Sequence, residues 1–361
     1  MSVIRQNKAL VAYIALWIFV VMAMTPQSAK AVKNPFHPDT TSIGVQKGVV
    51  TMKITINAPY ESSNVKAWIP YPVSGKYQKI EDAHVSGNYD ETSVLAQNEY
   101  GSMGLYAEWK HPSKEPREVL LTFRATSRER VSDTFNGAEP VIPSEMLPFI
   151  ESTGYIPTNG EIGELAKRIT AGKVTIAEKH AAIYDWMVIN TVRDPDVQGC
   201  GLGIVERTLA SKSGKCADLS SVYVALARAA GIPAREVFGL RLGKNSDGSS
   251  DMTKGHHCWA EYYQPGYGWV QTDPADVRKL MLANKIGLEQ AKDIIDYYSN
   301  RVDEYRIALV KGSRGFMLNP PQNGQPLNYF MYPYAEVDGK SLDWLSAQKD
   351  LKYQISFTGG E

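Results

Sequence analysis

The spacing of apolar residues changes period part-way along the chain, and that change limits what it can fold into. Val50, Met52, Ile54 and Ile56 alternate with polar or small residues, as do Val119, Leu121 and Phe123. A period of two over residues 41–126 describes strands with one apolar face. Turn clusters at Pro70-Tyr71-Pro72, Ser86-Gly87-Asn88 and His111-Pro112-Ser113 separate them. An antiparallel, sandwich-like β domain is predicted over 41–135, with a Pro/Gly/Ser-rich connector over 136–160. From there the period becomes helical. Ile162, Leu165 and Ile169 share one face, and Ile176, Ile183 and Met187 share another behind Thr175 as N-cap. A third helix over 215–230 carries Leu219, Val222, Leu226 and Ala229 and stops at Gly231-Ile232-Pro233. Strands at 235–242, 257–263 and 269–273 follow, then a helix near 288–297. Leu351, Tyr353, Ile355 and Phe357 alternate in the tail. Strands first and helices later make an α+β chain. A helix-and-sheet core is expected over 160–315, and a C-terminal β extension over 316–361 packs on that core or on the first domain.

The first 31 residues stand apart. Arg5 and Lys8 precede an apolar run from Leu10 to Met24, and Ala29-Lys30-Ala31 is a small-x-small cleavage signal. This pattern predicts a signal peptide over 1–31, since the run is short for an uncleaved anchor. Its removal takes away Arg5, Lys8 and Lys30 and no acid, leaving 36 basic against 39 acidic side chains. That balance offers nucleic acid no basic surface. No later stretch predicts membrane insertion of the mature chain.

Three cysteines are too few for a disulfide scaffold, and an odd thiol outside the cytosol is a candidate for reactivity. Cys216 follows Gly214 and Lys215 in the first turn of the third helix. There, unpaired N–H groups and the helix dipole favour a thiolate and can receive an oxyanion. Alternation in His257-Cys258-Trp259-Ala260-Glu261 puts His257, Trp259 and Glu261 on one side and Cys258 on the other. With Gln264-Pro265-Gly266 as a three-residue turn, Glu261 faces Trp269, Trp259 faces Gln271 and His257 faces Asp273. Asp273 then fixes the imidazole and its tautomer, and the other ring nitrogen takes the proton of Cys216.

The blocks Gly214-Lys-Cys-Ala-Asp-Leu-Ser-Ser, Leu226-Ala-Arg-Ala-Ala-Gly-Ile-Pro-Ala-Arg235, His257-x-Trp-x-Glu261 and Gly266-Tyr-Gly-Trp-Val-Gln-Thr-Asp-Pro274 occur in this order. Together they resemble the core of the transglutaminase-like superfamily, a branch of the papain-like thiol enzymes, over 176–276. The resemblance implies a helix bearing the cysteine packed on an antiparallel sheet. Cys216 is the implied nucleophile, His257 the base and Asp273 the orienting carboxylate. It is similar to a bacterial exported branch, which implies a periplasmic or extracellular protein acting on a peptide, protein or cell-envelope amide. An acyl-thioester is implied in active members. Hydrolysis is favoured, because the multidomain build of animal transglutaminases is missing. Transfer to an amine and a noncatalytic binding or envelope-assembly role are the alternatives.

Other residues carry weaker expectations. Cys200 and Cys258 are open to a mutual disulfide or to burial in the core. Consecutive strand residues diverge, so His256, His257 and Cys258 do not converge on zinc with Cys216; no metal and no cofactor is expected. Asp218 suits a helix start, and Arg235 pairs with it or with another buried acid. Trp186 matches poorly as an oxyanion donor and reads as a core aromatic. The polar loop over 243–255 borders the groove or is a solvated connector.

Overall fold

The computed structural model describes residues 34–37, 42–132, 135, 141–243, 249–312, 314–345 and 349–360. The signal peptide read over 1–31 lies outside them. Among the described residues no helix is long and apolar enough to cross a membrane.

Six strands come first: β1 (Val45–Ile56), β2 (Val65–Tyr71), β3 (Gln78–Gly87), β4 (Glu91–Ala96), β5 (Met103–Trp109) and β6 (Arg117–Arg128). The alternation has the expected consequence. Val50, Met52, Ile54 and Ile56 are fully buried, whereas Val45 and Val49 on the other face of β1 are exposed. β1 pairs antiparallel with β6, setting Val50 against Phe123, Met52 against Leu121 and Ile54 against Val119. Apolar residues placed opposite one another in this way are the stabilising unit of a sheet.

The helices are α1 (Gly160–Ile169), α2 (Ile176–Asn190), α3 (Val205–Ser211) and α4 (Cys216–Ala229). A capping box starts α2: Thr175 Oγ1 accepts from Glu178 N at 3.2 Å and Glu178 Oε2 accepts from Thr175 N at 2.9 Å. α4 is buried from Cys216 to Arg228, so it is the axis on which the other elements pack. Full burial of Leu219 and of Leu226 contributes roughly 1.5–3 kcal/mol each. Gly231, at φ 80°, closes the helix.

Strands β7 (Ala234–Arg241), β8 (Ser249–Asp251), β9 (His256–Gln264) and β10 (Gly268–Thr272) come next, then α5 (Pro274–Asn284) and α6 (Lys292–Asn300). They are followed by β11 (Arg306–Lys311), β12 (Tyr334–Val337) and β13 (Leu351–Gly359). One sheet runs β10-β9-β7-β11 and packs on α4. The C-terminal strands return to the N-terminal ones, giving β8-β13-β1-β6-β3 and β12-β2-β5-β4, with Lys340–Ser341 on the outer edge of β12. Ile355 thereby faces Met52, and Phe357 faces Val50. The inward rows of these sheets share one apolar core with α4, and residues 32–361 form one compact unit.

Several local expectations are corrected. The strand expected at 269–273 is Gly268–Thr272, and Asp273 caps α5. α5 itself was not expected, and the helix placed near 288–297 runs Lys292–Asn300. The polar loop over 243–255 contains β8, which pairs with β13.

Candidate active site

Cys216 is the first residue of α4, after Lys215 as N-cap, and its N–H belongs to the turn that has no intrahelical acceptor. The segment before it is tied to the same helix end. Asp218 accepts from Lys215 N at 3.0 Å and from Gly203 N at 2.8 Å, and Ala217 N donates to Cys200 O at 2.9 Å. Gly201 allows this closeness: at φ 87°, a Cβ there would lie 1.9 Å from Asp218 Oδ2. Asp218 therefore fastens the loop of Cys200 to the start of α4.

The histidine comes from β9. Trp259 turns toward Val277, Tyr297 and Tyr298, while Cys258, Ala260 and Tyr262 join the core around α4. His257 faces Gly239 across the ladder. The register with β10 differs from the expected one by two residues: Tyr263 faces Trp269 and Glu261 faces Gln271, and pairing ends at Ala260 with Thr272. The turn spans Pro265–Tyr267, with Gly266 at φ 79° and Gly268 at φ 105°. His257 and Asp273 are thus not directly opposed. They meet because the chain leaves β10 at Asp273 to start α5, where Oδ1 accepts from Asp276 N at 2.8 Å and Oδ2 accepts from His257 Nε2 at 2.7 Å. A slip of two keeps every side chain on its face, whereas a slip of one would have separated the pair.

With Nε2 committed to Asp273, Nδ1 remains for the thiol. Burial alone would raise the Cys216 pKa, but hydrogen bonds from Cys200, Cys258 and His257, and the charge of His257, outweigh it and hold the thiol well below its ordinary value. Its hydrogen bond to Cys216 raises Cys200, and burial raises Cys258. The proton deficit therefore sits on Cys216. All three cysteines are free thiols, so Cys200 and Cys258 form no disulfide. Their sulfurs and that of Cys216 lie within 4.8 Å of one another, and Cys200 Sγ also donates to His256 O at 3.3 Å.

Behind the histidine lies a charge network that the sequence reading missed. Arg306 donates to Asp273, to Asp276 at 2.8 Å and to Asp303 at 2.9 Å. Arg241 bridges Asp276 and Asp303. Burial favours the neutral acid at Asp273, but the Arg306 charge and His257 together lower its pKa. It stays a carboxylate. The i, i+3 pair Asp303 and Arg306 ahead of an apolar strand was the available signal. The distance between β11 and α5 in sequence hid the rest.

Other candidates are placed as follows. Arg235 pairs with Glu261 at 2.6 Å, not with Asp218. Trp186 is half-buried against the core. His256 is buried between Tyr332 and Tyr353, with ring centroids at 4.4 and 5.4 Å, and burial depresses it to about 3. Among the described residues two donor groups have spacings a cation can bridge: the three thiols, and His257 with Asp273 and Asp276. Arg306 and Arg241 already neutralise the second. A cavity of about 580 Å³ opens beside Cys200 and His256, and Arg193, Lys215 and Lys254 line it without a described carboxylate.

Comparison with known proteins bears on the family and the fold. Residues 163–274 match the model of the transglutaminase-like superfamily. An uncharacterised protein of Haemophilus influenzae is 35% identical over 311 residues, covering 79% of this chain and 84% of that one. A protein-glutamine gamma-glutamyltransferase of Pseudomonas aeruginosa is 35% identical over 75 residues, which are 20% of this chain and 11% of the enzyme. The crystal structure of a putative cysteine protease from Cytophaga hutchinsonii superposes with a TM-score of 0.53 at 17% identity, over 88% of this chain and 99% of that one. The chain belongs to the transglutaminase-like superfamily.

Proposed function

We propose that this is an exported thiol enzyme that hydrolyses a peptide or amide bond through an acyl-thioester on Cys216. The observation that carries the reading is the His257–Asp273 hydrogen bond at 2.7 Å beside a thiol held below its ordinary pKa.

The resting pair is Cys216 thiolate and His257 imidazolium, whose charge Asp273 offsets. The thiolate attacks the amide carbon, the C–S bond forms, and the oxyanion lies at the α4 N-terminus near the Cys216 N–H. His257 gives its proton to the departing nitrogen as the C–N bond breaks. Water then attacks the thioester, His257 takes a proton from it, the C–O bond forms and the C–S bond breaks. The acid departs and the thiolate–imidazolium pair is restored. An amine in place of water would give transfer, so the acceptor decides between hydrolase and transferase. The cationic lining of the cavity beside Cys200 favours donors with a carboxylate near the scissile bond.

The test is incubation of the protein with acidic and basic peptide libraries, with and without a primary amine, followed by mass spectrometry. Cleavage of acidic peptides without amine incorporation, and its loss in Cys216→Ala, are the expected results. Amine incorporation in preference to cleavage would replace the hydrolase with the transferase. Equal partner capture by both proteins without turnover would replace both with a binding role.

A further inference from the structure

A second cavity, of about 500 Å³, lies over the outer ends of β9 and β10, where the loop 73–78 and residues 100–102 close it from the other side. It shares no lining residue with the cavity beside Cys200. Arg130, only 4% exposed, is part of its wall. Five described arginines are buried, and four of them are held by carboxylates or by several carbonyls, although Nε of Arg117 has no partner. Arg235 and Arg306 hold carboxylates, while Arg117 and Arg228 each donate to two or more backbone carbonyls. Arg130 makes one long bond, 3.3 Å from Nη2 to Arg306 O, and its Nη1 has no partner. Its guanidinium lies 5.4 Å from the Trp259 ring and 5.7 Å from the Tyr77 ring, both in the cavity wall.

The charge around it is mostly positive, although the carboxylates of Asp303 and Glu261 also act on it. Lys76, Arg235 and Lys311 line the same space against a single carboxylate, Glu261. Arg235 and Gln271 already occupy that carboxylate. Burial and the nearby charge of Arg306 pull Arg130 down to about 10. A buried cation with an unfilled donor, beside other cations, is costly unless an anion enters. The wall also carries aromatic rings, Trp269 and Tyr267 among them, and the volume is that of a small-molecule site.

We propose that this cavity binds a small organic acid, its carboxylate or phosphate on Arg130 and Lys311 and its planar or apolar body against the part-exposed rings of Trp269 and Tyr267. The site does not depend on the acyl-transfer reading, since none of its residues touches Cys216.

Calorimetric titration with phenylacetate, phenyl phosphate, inorganic phosphate and the uncharged phenylacetamide tests it. At least one aryl acid should bind about tenfold or more tightly than phenylacetamide, and the tighter of the two names the anion. Cys216→Ala should leave that affinity unchanged. Arg130→Met should lose about tenfold or more in a protein with wild-type circular dichroism. Lys311→Met, at the half-exposed rim, is the variant that spares the core; it should lose severalfold and weaken the salt dependence. An acid that binds no better than the amide, or binding unaltered in Lys311→Met and in folded Arg130→Met, would overturn the proposal. Inorganic phosphate binding as tightly as both aryl acids would overturn the role given to the aromatic wall.

Discussion

The two faces of β9 carry opposite chemistry. The face toward α4 presents Cys258, Ala260 and Tyr262 to an apolar core, where the reactive candidate is a sulfur stabilised by two other sulfurs. On the other face, His257 and Glu261 lead into Asp273, Gln271 and Arg235, and the carboxylates Glu261 and Asp273 are each held by an arginine. Cys216, at the start of α4, meets both. Burial that would keep a thiol neutral on the first face is overcome by hydrogen bonds from Cys200 and Cys258 together with the imidazole that the second face delivers in a fixed orientation. A reactive group at the seam between a dry face and a charged face takes its pKa from the competition between them.

The largest expected effect removes the fixed orientation. Asp273→Asn should lower turnover by about 10²–10⁴-fold with little loss of fold, because the carboxylate that holds the imidazolium is gone. Steady-state kinetics on a cleaved peptide check this, and an unchanged kcat would mean that the two faces work independently. Arg306→Met removes the cation shared by Asp273, Asp276 and Asp303. Leaving buried carboxylates unpaired should cost about 3–5 kcal/mol in urea unfolding. A loss under 1 kcal/mol would show that Arg241 alone suffices.

On the dry face, Cys200→Ala and Cys258→Ala each delete a hydrogen bond that lowers the Cys216 pKa. The pH midpoint for alkylation of Cys216 should move up in both, and a downward move would break the assignment of those thiols as donors. The smallest effect concerns His256, depressed to about 3 by burial from an ordinary 6.5. Such a base is neutral when folded and binds a proton when unfolded, so its stability contribution is full above pH 6.5 and declines as pH falls toward 3. His256→Phe keeps the stacking on Tyr332 and should flatten stability against pH in that window, as read by denaturant midpoints. His180, also depressed to about 3, should keep part of the slope.

The contrast also explains what could be read in advance. Which face a residue occupies follows from alternation, so His257 and Cys258 were separable from the sequence. The α4 start was legible from Gly214 and its end from Gly231-Ile232-Pro233. Register was not, because two glycines, Gly266 and Gly268, both adopt positive φ and either can centre the turn. Asp273-Pro274 carried an unused signal, a helix N-cap followed by proline at the first turn. Convergence of Cys200 and Cys258 on Cys216, and of Arg306 on three acids, depends on packing between segments distant in the chain, for which local pattern has no term. The tail had the right period but no indication of a partner until β13 paired with β1.

The central claim is that Cys216 is a thiolate made by its neighbours. The rate of its alkylation by iodoacetamide, followed by mass spectrometry across pH in the wild-type protein and in His257→Ala, tests it most directly. Expected are a midpoint well below the ordinary thiol value of 9.0, selective labelling of Cys216 over Cys200 and Cys258, and an upward shift in the variant. A midpoint near 9.0 that His257→Ala leaves unmoved, or equal labelling of all three cysteines, would contradict it.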